Sequence, residues 1–191
     1  MSILIIYAHP KTEGFCSYIL ETIRQILINQ QREFEILDLY DMNYDAVLKK
    51  EELYSAGNRK ISSINKEIQE KIKKSETLLF IYPVWWGCMP AILKGFLDRV
   101  ITPGFGFKYQ KKNSLHFIPK KLLKQKKALV FMTAGSPRLA YLATGNPPKK
   151  IIKTFTLGTC GIDTTVIQFF NAKHLNEKRK AHIKKRIKKI F

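Results

Sequence analysis

The sequence predicts a doubly wound α/β domain: a five-stranded parallel sheet, strand order 2-1-3-4-5, with helices on both faces. Three observations carry this. Five short, largely apolar runs recur at residues 2–8, 34–39, 77–82, 128–134 and 164–170. Apolar runs of that length mark strands covered on both faces. Between them, apolar residues return at helical spacing, and strand alternating with helix is the pattern of a parallel sheet. The length, 191 residues, suits one domain over residues 1–191 and favours this strand order, whose ligand crevice lies between the first and third strands.

Taken in order, "SILIIYA" (2–8) is the first strand. After the loop "HPKTEGFCS", Ile19, Leu20, Ile23, Ile26 and Leu27 outline a helix. "FEILDL" (34–39) is the second strand, also read as buried. Residues 40–60 are mixed and polar, a long connection with short helical pieces, and Ile61 to Lys74 is a charged helix. "TLLFIY" (77–82) is the third strand. Pro90 then stands at a first helical position, and Leu93, Phe96, Leu97, Val100 and Ile101 form one apolar stripe. Residues 103–122 read as a long loop with glycines and aromatics, and "ALVFMTA" (128–134) as the fourth strand. Residues 137–150 read as a Pro/Gly-rich loop and Ile151 to Thr159 as a helix. "TTVIQFF" (164–170) is the fifth strand, and Lys173 to Phe191 a basic amphipathic helix packing one face on the sheet.

Composition narrows the function. The net charge is +19, from 34 Lys and Arg against 15 Asp and Glu. The lysines are dispersed and no nucleic-acid-binding motif accompanies them, so the charge reads as a solvated surface without a nucleic-acid partner. Cys16, Cys88 and Cys160 are odd in number and form no C-x-x-C, which argues against a disulfide framework and for a reducing cytoplasm. His9, His116, His174 and His182 show no metal-ligand spacing. The N-terminal "MSILIIYAHP" has no basic segment and reads as a strand, not a signal peptide. No run approaches the ~20 apolar residues of a membrane span, so stable membrane insertion is not expected.

The strand order brings three loops together. The first, "HPKTEGFCS", feeds a helix N-terminus, where free N–H groups and the helix dipole receive phosphate. Thr12 and Ser17 add hydroxyls and His9 a ring donor. The pattern is neither G-x-G-x-x-G nor a Walker loop, which disfavours a Rossmann dinucleotide site. The second, "PVWWGCM", places Trp85 and Trp86 at a strand end. There they either cap a core or line a flat aromatic ligand. The third, "TAGS", offers small residues that let a flat ring approach.

The segments "LIIYAHPKTEGFCSYIL", "ILDLYDMNY", "LLFIYPVWWGCMPAILKGFLDRVITPGFGFKY" and "VFMTAGSPRLAY" resemble, in order, those of the NAD(P)H quinone oxidoreductase family of flavodoxin-like fold. That family includes quinone reductases, modulator-of-drug-activity proteins and accessory oxidoreductases of potassium efflux systems. The P-x-x-W-x-x-x-P-A-x-L-K-G run is the most specific part. The resemblance implies a flavin held by His9, Thr12, Phe15, Cys16 and Ser17 at its phosphate and ribityl chain. Pro83, Val84, Trp85 and Trp86 would line its ring, and Thr133, Ala134, Gly135 and Ser136 its other edge. Phe107 and Tyr109 would cover the substrate pocket from the partner of a homodimer, and Tyr141 would stand near the ring as the catalytic side chain. The activity implied is two-electron, ping-pong reduction of quinones or related electrophiles by NADPH or NADH. The alternative is a regulatory accessory subunit of a membrane transporter. The chain departs from the family where "TAGSPR" replaces "TTGG", where Cys16-Ser17 replaces an Asn-containing pair, and where no histidine follows Tyr141 to form a Tyr-His relay. It is also shorter at its C-terminus than the animal enzymes, which favours FMN over FAD.

Overall fold

A computed structural model of the chain describes residues 2–53, 60–109 and 119–191. Its main sheet holds β1 (Ile3–Tyr7), β2 (Phe34–Asp38), β3 (Thr77–Pro83), β6 (Lys127–Thr133) and β7 (Asp163–Phe169), all parallel, in the order β2-β1-β3-β6-β7. Counting only these strands, that is the expected order 2-1-3-4-5. The two remaining strands, β4 (Phe107–Lys108) and β5 (Lys120–Lys121), form a small antiparallel pair of their own. They lie inside the segment expected to be loop, because two residues per strand carry no periodic signal.

Two apolar layers hold the sheet. On one face α1 (Phe15–Asn29) and α7 (Glu177–Lys188) cover β1, β3 and β6. Helix α1 buries Phe15, Cys16, Ile19, Ile23 and Leu27, and α7 adds Ile183 and Ile187, successive turns of one face in each case. The basic remainder of α7 faces outward, so this helix is shorter than Lys173 to Phe191 but packs one face as expected. On the other face α2 (Ser63–Lys74) and α3 (Ala91–Val100) contribute Ile68, Ile72, Leu93, Phe96, Leu97 and Val100. Ser62 caps α2 by accepting a hydrogen bond from the Asn65 N–H. Pro90 is the N-cap residue of α3, one position earlier than expected. Strand β2 lies at the edge, and Leu37 is its one fully buried residue. An edge strand has a single covered flank, so its apolar content overstated its burial.

The segment expected as a Pro/Gly-rich loop contains α4 (Arg138–Ala143) and α5 (Pro147–Lys150). The latter runs on through a π-helical stretch, Ile151–Leu157, into α6 (Gly158–Cys160). Pro147 starts this run, where a missing N–H is harmless. In the connection after β2, a 3₁₀ turn, Lys50–Glu52, is clamped from α3. Buried Arg99 donates from Nε and Nη2 to both carboxylate oxygens of buried Glu52, at 2.8 and 2.9 Å, and from Nη1 to the Asp45 carbonyl. Gly95 makes this approach feasible: a Cβ there would collide with the Ala46 backbone.

Candidate functional site

The register aligns the carboxyl ends of the strands. Tyr7 pairs with Ile81, Pro83 with Thr133, and Thr133 with Phe169. Pro83, the last residue of a central strand, donates nothing to the ladder. The Val84 N–H takes over, reaching the Thr133 carbonyl at 2.7 Å, and the Ala134 N–H reaches the Phe169 carbonyl at 2.8 Å. The three expected loops therefore leave the sheet side by side.

The first loop reaches α1 through Gly14, whose φ of 116° opens the helix without any side-chain cap. Its first N–H groups have no intrahelical acceptor. His9 Nδ1 lies against the Lys11 backbone, 3.0 Å from its nitrogen and 3.3 Å from its carbonyl oxygen, so the turn holds the ring through Nδ1. Burial holds its pKa below the ordinary value, with a smaller opposing contribution from the Lys11 backbone bond. Thr12 is exposed, and the Ser17 hydroxyl donates to the Gly14 carbonyl at 3.1 Å. Phe15 and Cys16 face the other way, into the core, so their side chains brace the loop and only their backbone N–H groups remain for a ligand. Cys16 Sγ lies 3.4 Å from Thr133 Oγ1, tying this helix start to the end of β6. Burial pushes that thiol up to about 12, with the Thr133 contact pulling slightly down, so it is no nucleophile. Beside this loop lies a cavity of about 810 Å³ that includes His9, Thr12, Ser17, Arg24, Asp38 and Tyr40.

The second loop carries the two tryptophans. Trp86 is fully exposed and Trp85 is 41% exposed, so neither caps a core. They sit on a tight turn in which Trp85 and Cys88 exchange backbone bonds of 2.9 Å in both directions. The central residues, Trp86 and Gly87, have φ of 49° and 72°, both positive as a type I′ turn requires. Glycine takes that conformation freely, but a bulky Trp in it stores about 1–2 kcal/mol. Among the described residues, the Trp86 and Gly87 N–H groups meet no acceptor. The His9 and Trp85 rings lie 6.3 Å apart, joining the first two loops.

The third loop faces this turn. Thr133 and Ala134 are buried, Gly135 and Ser136 exposed, and a Cβ on Gly135 would meet nothing within 4 Å. The resulting set fits a flavin. Hydroxyl and N–H donors at the α1 N-terminus suit a phosphate, exposed indoles suit stacking on a flat ring, and the Trp86 and Gly87 N–H groups suit a ring edge with acceptor atoms.

Other expected residues stand elsewhere. Tyr141 packs its ring on Phe170 at 5.6 Å and lines a different cavity, beyond the third loop. Phe107 is half-buried against Tyr109 at 5.4 Å. Phe105, in the same segment, is buried by its own chain, with Lys73 near its ring. Phe117 of the same segment lies outside the described residues. Among the described residues no cluster of His, Cys, Asp or Glu is arranged for a metal, and no helix is long and apolar enough to cross a membrane. The sequence reading passed over Arg186, Gln168 and Asn146, which are scattered in the chain and meet only in space.

The Flavodoxin_2 family, of flavodoxin-like fold, matches residues 1–190. An NAD(P)H oxidoreductase of Haemophilus influenzae, otherwise uncharacterised, is 34% identical over 189 residues, 96% of this chain and 91% of that one. The human ribosyldihydronicotinamide dehydrogenase [quinone] is 29% identical over 160 residues, 75% of this chain and 67% of that one. The solved structure of an NAD(P)H:quinone oxidoreductase from Methanothermobacter marburgensis superposes with a TM-score of 0.78 at 26% identity, covering 99% of this chain and 93% of that one. The chain belongs to the Flavodoxin_2 family of flavodoxin-like proteins and is an oxidoreductase.

Proposed function

We propose that the protein is a flavin-dependent oxidoreductase that passes two electrons from NADPH or NADH to quinones or related electrophiles. The observation that carries this is the Trp85–Trp86 turn: two exposed indoles, one in a costly left-handed conformation, next to unspent N–H groups. Strain and exposure of that kind persist where a ligand uses them. FMN is the cofactor proposed, with FAD the alternative. Its phosphate would lie on the α1 N-terminus with His9 Nε2, Thr12 and Ser17. Its ring would lie against Val84, Trp85 and Trp86, with Gly135 and Ser136 at the other edge. The bound flavin supplies the redox chemistry. The chain supplies position, donors and exclusion of water. Tyr141, whose phenol burial holds above its ordinary pKa, stays protonated in the neighbouring cavity, where it packs on Phe170, and is given no part in the proposed transfer. The cytoplasm is the proposed location.

Titrating the apoprotein with FMN should quench flavin fluorescence with a stoichiometry near one and a dissociation constant below about a micromolar, the range typical of a pocket that buries a large heterocycle. Absence of binding by both FMN and FAD would overturn the assignment. One open face above the ring admits the nicotinamide or the acceptor, but not both. Double-reciprocal plots at several fixed quinone concentrations should therefore be parallel, and intersecting lines would show that two substrates bind together.

A homodimer is proposed as well. Leu139, Leu142 and Phe155 are 75%, 60% and 71% exposed. A symmetric partner is the commonest cover, and it would bring Phe107 and Tyr109 over the neighbouring site. Sedimentation at micromolar concentration should give about twice the chain mass; an active monomer would refute the dimer.

A further inference from the structure

A second cavity, of about 500 Å³, lies at the free edge of β7, with Arg138, Tyr141, Asn146, Lys149, Gln168 and Arg186 in its wall. No Asp or Glu lines it. Among the described residues neither Arg138 nor Lys149 pairs with a carboxylate. Arg186 is fixed in place: Nη1 donates to the Gln168 carbonyl at 3.0 Å, and the guanidinium sits 4.8 Å over the Phe169 ring. Burial lowers its pKa, and the charge of Arg138 adds to the effect. Gathered cations without a counter-charge repel one another and lower stability unless an anion joins them.

A second observation points to the same ligand. Gln168 is 7% exposed and accepts from Asn146 Nδ2 at 2.9 Å, yet its Nε2 has no partner, nor has Asn146 Oδ1. Reversing both amides would still leave one NH₂ unspent. A buried donor without an acceptor is costly, and an anion in this cavity would satisfy it. The cavity also adjoins the candidate flavin site. The Asn171 N–H donates to the Ser136 carbonyl at 3.2 Å and the Ala172 N–H to the Ala134 carbonyl at 2.9 Å. Those bonds fasten the loop at the flavin's edge to the chain that carries Phe170, against which Tyr141 packs.

We propose that this cavity is a phosphate subsite that receives the 2′-phosphate of the electron donor, so that the protein selects NADPH over NADH. The inference rests on the nicotinamide donor proposed above. A phosphate monoester near neutral pH carries close to two negative charges and several acceptor oxygens, which suits two guanidiniums, an ammonium and an amide. The 2′-hydroxyl of NADH would leave those cations uncompensated, and that contrast is the source of the discrimination.

The test is calorimetry on the full-length protein as purified, with adenosine 2′,5′-bisphosphate, adenosine 5′-monophosphate and inorganic phosphate as probes. The bisphosphate should bind about tenfold more tightly than the monophosphate, the effect of one well-placed charged contact. The R138Q/K149Q variant, altered at two exposed positions and so expected to fold, should lose that difference. In turnover the same variant should raise KM for NADPH relative to KM for NADH by a similar factor. Equal affinities in the wild type, or a preference kept by the variant, would overturn the subsite. If inorganic phosphate binds and is lost in the variant while the two nucleotides bind alike, a free-phosphate site stands and the dinucleotide assignment falls. Flavin content, read separately by absorbance, distinguishes failure of the subsite from failure of the flavin reading.

Discussion

Replacing Arg99 with Met is expected to lower stability by about 3–5 kcal/mol, because the Glu52 carboxylate would be left buried without its partner. For a chain of this size that is roughly a 10 °C fall in Tm. The double variant R99M/E52L should recover most of the loss, since neither charge is then stranded. Calorimetric melts of the three proteins decide it, and a single variant within 1 kcal/mol of wild type would show that water reaches the pair. Acid should mimic the mutation. Burial by itself raises the Glu52 pKa, but the Arg99 hydrogen bonds, the Lys49 N–H and the Arg99 charge together outweigh it, and the net position is below the ordinary carboxylate value. A group with a depressed folded pKa contributes stability above its unfolded value, about 4.3, and loses it as the pH falls through the folded one. R99M should therefore have a flatter melting curve against pH on the acid side than wild type.

Removing both indoles, W85A/W86A, should weaken flavin binding by about 3 kcal/mol, near a hundredfold, on the scale of large aromatic contacts. The apoprotein should melt within about 0.5 kcal/mol of wild type, as exposed positions do. W86G gives a sharper version. Glycine adopts the left-handed conformation without strain, so the apoprotein should gain about 1 kcal/mol while flavin affinity falls. Opposite signs on fold and ligand are the mark of strain kept for binding. Unchanged affinity in both variants would place the flavin elsewhere.

The sheet and its order were legible in the sequence because the covering of a parallel strand is written locally. Four of the five runs are apolar on both faces, and the intervening stripes keep helical period. The turn at Trp85–Trp86 was legible as a position, from its prolines and glycine, but not as a conformation. Whether an indole enters the core or leaves it depends on what neighbours fill the space, which is a property of the assembled core. Burial of β2 was overstated for a related reason, since edge or centre is a property of the assembled sheet. Helices α4 and α5 were hidden by prolines and glycines that read as loop, though Pro147 at a helix start is compatible with helix. Least visible were the long-range pairs. Arg99 meets Glu52 across 47 residues, Cys16 meets Thr133 across 117, and Asn146 meets Gln168 across 22. No periodicity records such meetings. Sequence alone determined the layers, the crevice and the loops at its mouth. Only the tertiary structure decided which side chains in those loops are free for a ligand, because freedom is what packing and hydrogen bonding leave unspent.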